Sequence, residues 1–273
     1  MTDIAGKTVL VTGAASGIGR LMALGAARRG ATLVLWDIQS EPLEMLAKEI
    51  ENEGGRAYPY TCDVGDPSAV ERTADQVHRD GRRIDVLVNN AGVVAGRRFL
   101  DLTDEDIERT FRVNTLAHYW TTRAFLPWML ERGAGHVVTI ASAAGLGPGP
   151  RMTAYAASKA AAVEFAECLR VELDETAPGV RTTLVCPWYI DTGMFEGVQA
   201  GRLGRLTAIL READVAEAVL GALEHDRKRL YMPWMVYPAA ALRALPAGLA
   251  DRTLSALGVF RTMDHFVGRA VHR

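Results

Sequence analysis

Short, unbroken apolar runs alternate along most of this chain with longer stretches in which apolar positions recur every three to four residues. Lys7 to Thr12, KTVLVT, shows no alternation of apolar and polar positions, which predicts a strand buried on both faces. ATLVLWD, Arg56 to Thr61, IDVLVNN, HVVTIAS and VRTTLVC predict further strands. Between them the pattern is helical in RLMALGAARR, in EPLEMLAKEIENEG, from about Pro67 to His78, and from Thr103 to Leu130. Thr103-Asp104-Glu105-Asp106 opens the last of these as a capping box. An alanine-rich run from Ala154 through LRVELDE and the amphipathic EADVAEAVLGALEH follow, separated by a mixed loop and short-helix region around 193 to 212. Strands alternating with helices of this length predict an α/β fold, a single doubly wound parallel sheet flanked by helices. The dinucleotide-binding and catalytic domain is expected over residues 1–229, with 230–273 as an extension packed on the domain, a partner subunit or a membrane surface.

That first strand runs directly into Gly13-Ala14-Ala15-Ser16-Gly17-Ile18-Gly19 and then into a helix. A glycine-rich turn between strand and helix lets backbone approach a pyrophosphate closely, and the helix start offers N–H groups to its charge, so the sheet is expected to be Rossmann-like. Asp37 ends the second strand, eighteen residues beyond Gly19. An acidic residue there accepts from adenosine ribose hydroxyls and repels a 2′-phosphate, and no basic residue stands at Ala15, Ser16 or Ile38 to receive one. NAD is therefore the expected cofactor; the other reading of Asp37 is a cap for the helix that follows.

The chemistry is placed between Ser142 and Lys159. Ser142 ends a buried strand, Pro150 and the glycines before it break the chain, and Tyr155 and Lys159 then fall one turn apart on a helix face. An ammonium near a phenol stabilises phenolate and lowers a pKa that is ordinarily about 10, making the tyrosine an acid or base. Asn114, in the middle of a helical stretch, is a poor interior helix residue; a structural contact and a catalytic one both account for it.

Composition narrows the classes. At 49% hydrophobic and 23% charged, with net charge −2, nothing calls for nucleic acid. Cys62, Cys168 and Cys186 have no paired spacing and suit buried thiols in a reducing, cytoplasmic setting. The six histidines lack metal-ligand spacing, so no metal is expected. The amino terminus carries no signal-peptide pattern, and the uncharged run LYMPWMVYPAAAL is too short to span a bilayer.

Taken together, Thr12 to Gly19, Asp63-Val64, Asn89 to Gly92, Asn114, Ser142, Tyr155-Ala156-Ala157-Ser158-Lys159 and Pro187 to Thr192 resemble the short-chain dehydrogenase/reductases in order and spacing. The interval of thirteen from Ser142 to Tyr155 matches the family pattern. The resemblance implies an NAD(H)-dependent oxidoreductase acting on CH–OH groups through a tetrad. Asn114 holds a water of a proton relay, Ser142 positions the substrate oxygen, Tyr155 transfers the proton, and Lys159 lowers the tyrosine pKa and holds the nicotinamide ribose. It also implies that Gly13, Ser16, Gly17, Ile18 and Gly19 meet the pyrophosphate, with Asp37 and Ile38 at the ribose. Asp63 and Val64 flank adenine, Asn90, Ala91 and Gly92 line the adenosine side, and Pro187, Ile190 and Thr192 lie at the carboxamide.

Leu33 to Ile38, Val113 to Thr122 and Phe125-Leu126-Pro127 are similar to the retinol and 17β-hydroxysteroid dehydrogenase branch. That likeness implies a hydrophobic substrate of steroid, retinoid or long-chain alcohol type and a homodimer or homotetramer. Ser142, Ala144, Leu146, Met152, Tyr155, Trp188, Met194 and Phe195 are the expected substrate contacts; Trp188 departs from the glycine common after this proline. A catalytically silent nucleotide-binding or cofactor-sensing protein is the alternative, though it has no need of Ser142 together with Tyr155. The tail from Asp226 carries eight Lys or Arg against three Asp, interleaved with Tyr231, Trp234, Tyr237, Leu242, Leu245, Leu249, Leu254, Leu257, Phe260 and Phe266. This mixture suits peripheral membrane contact, and equally a partner subunit or a cover for the pocket.

Overall fold

β1 (Thr8–Thr12) lies inside a sheet whose neighbours it pairs in parallel: β2 (Thr32–Asp37) on one side and β4 (Val86–Asn89) on the other. The computed structural model describes residues 2–198, 209–241 and 244–267. Within them β3 (Arg56–Thr61), β5 (Gly135–Ile140), β6 (Val180–Pro187) and β7 (Arg229–Met232) complete a seven-stranded sheet of order β3-β2-β1-β4-β5-β6-β7, every pair parallel. Strand order reverses between β1 and β4. The crevice at their carboxyl ends is where ligands of such sheets bind.

The apolar runs are continuous because the sheet is covered twice. Val9 and Val11 pack with Leu33 and Leu35 against α1 (Gly17–Arg28), α2 (Ser40–Asn52) and α7 (Glu212–Glu224). Leu10, Val34 and Leu87 face the opposite way, towards α3 (Pro67–Arg79), Phe125 and Met129 of α5 (Ala117–Arg132), and Leu173 of α6 (Thr153–Thr176). Trp36 and Phe125 meet edge to face in that second layer, ring centroids 5.6 Å apart, both fully buried.

Three features differ from the sequence expectations. Thr103 to Leu130 is not one helix: α4 (Asp104–Phe111), capped reciprocally by Thr103 and Asp106, passes through a wide π-turn at Arg112–Leu116 before α5 begins. Leu230 to Met232 belong to the sheet as β7, so the extension starts beyond them, with α8 (Val236–Ala241) and α9 (Ala247–Ala256). Cys62 and Cys186 are buried, but Cys168 is exposed, since it falls on the outer face of α6. Part of the 193 to 212 loop, and Leu242 in the tail, lie outside the described residues. Among the described residues no helix is long and apolar enough to cross a membrane.

Candidate active site

The glycine turn is built by close approach. Gly13 has φ +66°, a Cβ on it would lie 2.9 Å from the Ala91 Cα, and a Cβ on Gly19 would lie 2.1 Å from the Gly13 carbonyl oxygen. No larger residue allows the start of α1 to fold back on β1 in this way. Thr12 fastens the turn to the end of β4: its hydroxyl accepts from the backbone N–H of Asn90 (3.0 Å) and of Ala91 (3.1 Å). The Asn90 side-chain amide donates to the carbonyls of Thr12 (2.9 Å) and Gly13 (3.2 Å), so its amide works as a clamp on the turn. Thr192 comes up beside Gly17, its methyl 3.4 Å from where a Cβ would stand.

Asp37 is buried where β2 ends, its carboxylate accepting from the N–H of Ala15 (2.9 Å) and of Gln39 (3.0 Å). It thus ties the glycine turn to the end of β2 and closes a short turn onto Gln39, and α2 itself has no side-chain cap. Ile38 is exposed beside it, Val64 is buried, and exposed Asp63 accepts from the Gly65 N–H at 2.8 Å. Ile190 is buried and bridges to Leu210. The first turn of α1 holds no acidic side chain that would repel a phosphate. A glycine cradle, an uncluttered helix start and a carboxylate at the neighbouring strand end fit a nicotinamide dinucleotide.

The four expected catalytic residues converge at the ends of β4 and β5. Asn114 sits in the π-turn, completely buried; its Oδ1 accepts from the Val93 N–H (2.8 Å) and its Nδ2 donates to the Val93 carbonyl (2.9 Å) and to Ser158 Oγ (3.1 Å). Ser158 Oγ in turn donates to the Tyr155 carbonyl at 2.7 Å, and Thr115 donates to the Ser158 carbonyl at 2.8 Å. These bonds lock α6 onto the π-turn. Lys159, 3% exposed, donates to the Ile140 carbonyl at 2.8 Å and lies beside Gly92 and Asn114 Oδ1. Ser142 accepts from the Ala144 N–H (3.1 Å), and its hydroxyl stands close enough to the Tyr155 phenol to oppose the upward shift of its pKa. Thr12 and Ser158 both stand inside the motifs quoted above, yet nothing in their spacing gave them a role.

The electrostatics differ from the expected lowering of the phenol by lysine. Burial dominates: it pushes Tyr155 up to about 12, against the opposing Ser142 hydroxyl, and pushes Lys159 down to about 8. A neutral Tyr155 is an acid, able to donate to a carbonyl oxygen held by Ser142.

A cavity of about 470 Å³ opens from Ser142. Of the expected substrate contacts, Ser142, Ala144, Leu146, Met152, Trp188 and Phe195 line it. Tyr155 and Met194 do not; Tyr155 stands behind Phe195, edge to face at 5.7 Å, in a cluster with Met152, Val198 and Met263. The extension supplies the far wall through Leu245, Leu254, Leu257 and Val259. Beyond it the chain crosses the site. Arg151 donates to the carbonyls of Met263 and Asp264 (3.0 Å each), Tyr189 shares a hydrogen bond with Thr262 (3.1 Å), and the Val267 N–H reaches the Glu196 carbonyl (2.9 Å). Phe266 seats on Gly96 so closely that a Cβ there would fall 2.1 Å from its ring.

A doubly wound sheet with a glycine cradle, an acidic strand end and a buried Asn-Ser-Tyr-Lys group defines a nicotinamide-dependent oxidoreductase of CH–OH groups. The family model described as short chain dehydrogenase matches residues 7–203, and the chain belongs to that family. Over 268 residues it is 43% identical to human epidermal retinol dehydrogenase 2, covering 97% of this chain and 86% of the relative. It is 46% identical to retinol dehydrogenase 10-B of Danio rerio over 265 residues, 89% of this chain and 79% of that one. A short-chain dehydrogenase/reductase from Burkholderia phymatum in complex with NAD superposes with a TM-score of 0.80 at 29% identity, over 89% of this chain and 95% of that one. A metagenomic short-chain oxidoreductase in complex with NADP superposes with a TM-score of 0.71 at 30% identity, over 85% and 98% of the two chains.

Proposed function

We propose that this enzyme interconverts a hydrophobic alcohol and its carbonyl, of retinoid, steroid or long-chain type, with NAD(H) as cofactor. The observation that carries the reading is the cavity at Ser142: its volume falls within the roughly 300–1,000 Å³ of small-molecule sites, and among the described residues Asp251 is the one charged side chain lining it. Walls of this kind select ligands by apolar area, at roughly 25 cal/mol per Å². The names of the retinol dehydrogenase relatives support the same substrate class. Asp37 supports NAD over NADP, because its carboxylate faces the ribose end of the cradle and the neighbouring Ala15, Ser16 and Ile38 carry no positive charge.

The bound nicotinamide supplies the hydride acceptor or donor. Ser142 holds the substrate oxygen, and Tyr155 moves the proton at its phenolic oxygen. Lys159, one helical turn away, is the cation placed to ease loss of that proton in the oxidising direction and to hold the nicotinamide ribose. Asn114 fixes the turn from which the proton relay leads away. The extension encloses the substrate. Trp234 ahead of α8, Tyr237 on α8 and Leu249 on α9 are exposed, and Leu245 between these helices lines the cavity, an extension that suits peripheral contact with a membrane from which an apolar alcohol enters.

The test is NADH formation by the full chain across retinoid, steroid, long-chain and polyol alcohols. Turnover confined to the apolar alcohols is expected; strong preference for a small polyol or a carboxylate-bearing alcohol would refute the assignment.

A further inference from the structure

His118 is a buried titratable group with no part in the tetrad. It is 2% exposed, on the first turn of α5, four residues beyond Asn114. The turn before it is wide: the Ala117 N–H closes on the Arg112 carbonyl, five residues back. Its Nε2 is buried without a hydrogen-bond partner, and the Asn114 backbone raises the proton affinity of the ring, as a carbonyl facing Nδ1–H does, so Nδ1 carries the proton and Nε2 presents a bare lone pair. One side of the ring stacks on Phe165 at 6.1 Å. The charged group that acts on it is the Lys159 ammonium.

A buried acceptor left unpaired costs about 1–3 kcal/mol, and isosteric apolar replacement of a histidine used only for packing would remove that cost. The ring also faces the residue from which the relay leads, and it feels the ammonium that feeds it. We propose that His118 is a positioning residue of the proton relay: Nδ1–H fixes the Asn114 carbonyl, and Nε2 accepts from a buried water that passes protons between Lys159 and the interior end of the relay. In alcohol oxidation the proton released at Tyr155 moves to the lysine side and leaves through that water; in carbonyl reduction it returns by the same path, with no net change at the imidazole. Burial and the neighbouring ammonium push His118 down to about 3, so the ring stays a neutral acceptor and never stores the proton.

This inference rests on the proton-transferring dehydrogenase reading. Failure of the unmodified chain to turn over any apolar alcohol would sink that reading itself, and with it the relay. With an active enzyme, three variants decide the role of His118. His118→Phe keeps a ring against Phe165 and should lower kcat at least tenfold, with KM and the NADH Kd within twofold and a larger solvent deuterium isotope effect. His118→Gln restores an acceptor near Nε2 and should recover kcat to within about threefold. His118→Asn keeps the donor to Asn114 but lacks any group at Nε2, so it should show the phenylalanine variant's loss and serves in its place if that variant does not fold. The proposal is overturned if His118→Phe or His118→Asn keeps kcat within twofold of the unmodified enzyme. It is overturned equally if KM rises and NADH affinity falls along with a lower kcat and glutamine gives no rescue, the pattern of a purely structural residue.

Discussion

Replacing Asp37 by asparagine probes cofactor choice with little change of shape. The carboxylate accepts from Ala15 and Gln39, and the amide retains one carbonyl oxygen for the Ala15 N–H that holds the glycine turn. What is lost is charge. Two like charges about 5 Å apart at an effective dielectric of about 20 repel by roughly 3 kcal/mol. Screening at the mouth of the crevice reduces this, so the unmodified enzyme should prefer NAD over NADP by about tenfold or more in kcat/KM, about 1.4 kcal/mol. Asp37→Asn should close most of that gap, chiefly by improving NADP. Asp37→Ala should close it too but weaken NAD further, because two backbone donors then lose a charged acceptor worth about 1.5–3 kcal/mol each. The assay is initial rate of reduced-cofactor formation with one alcohol and either cofactor. Equal use of both cofactors by the unmodified enzyme, or a ratio that Asp37→Asn leaves unmoved, would refute this role.

Other expectations follow from packing and burial. Phe125→Ala should lower unfolding free energy by about 3–5 kcal/mol, read by urea melts, since the ring is fully buried against Trp36. His136, bonded to Thr183 at 2.8 Å and pushed by burial to about 3, binds its proton more readily when unfolded, so stability rises with pH from about 3 to 6.5 and is lost on acidification through that window. His136→Gln should lose less stability between pH 7 and 4.5 than the unmodified chain, by up to about 1.4 kcal/mol per pH unit; an identical loss would contradict the assignment. Gly96→Ala must displace Phe266 and should speed tryptic cleavage after Arg261 several-fold; unchanged cleavage would show that the segment around Phe266 does not depend on that seat. Co-flotation with anionic liposomes at low salt should carry up the full chain and not one ending after β7, near Pro233; a full chain that stays in the soluble fraction would leave the tail to the pocket or a partner subunit.

What could be seen in the sequence was whatever requires a particular residue type at a fixed spacing. The strand ends, the glycine turn and the Tyr155–Lys159 turn of α6 are of this kind, because buried parallel strands and close backbone approach leave compositional marks. The π-turn leaves none: one added residue per turn changes no periodicity that the stretch from Thr103 to Leu130 displays, so Asn114 looked like an ill-placed helix residue. β7 is four residues at a sheet edge, hidden in a run that continues through two prolines. The direction of the Tyr155 shift was missed because spacing reveals the lysine but not the depth of burial of both groups. Thr12 acts on backbone N–H groups and Ser158 on a backbone carbonyl and the Asn114 amide, partners that spacing alone does not mark.

The account as a whole turns on proton transfer at one phenol. Tyr155→Phe keeps the ring against Phe195 and removes only the phenolic hydroxyl near Ser142. Measured on the apolar alcohol the unmodified enzyme turns over best, the variant should show no NADH formation above background while its NADH Kd, read by fluorescence titration, stays within about threefold. Near-normal turnover by Tyr155→Phe would contradict the assignment of the active site.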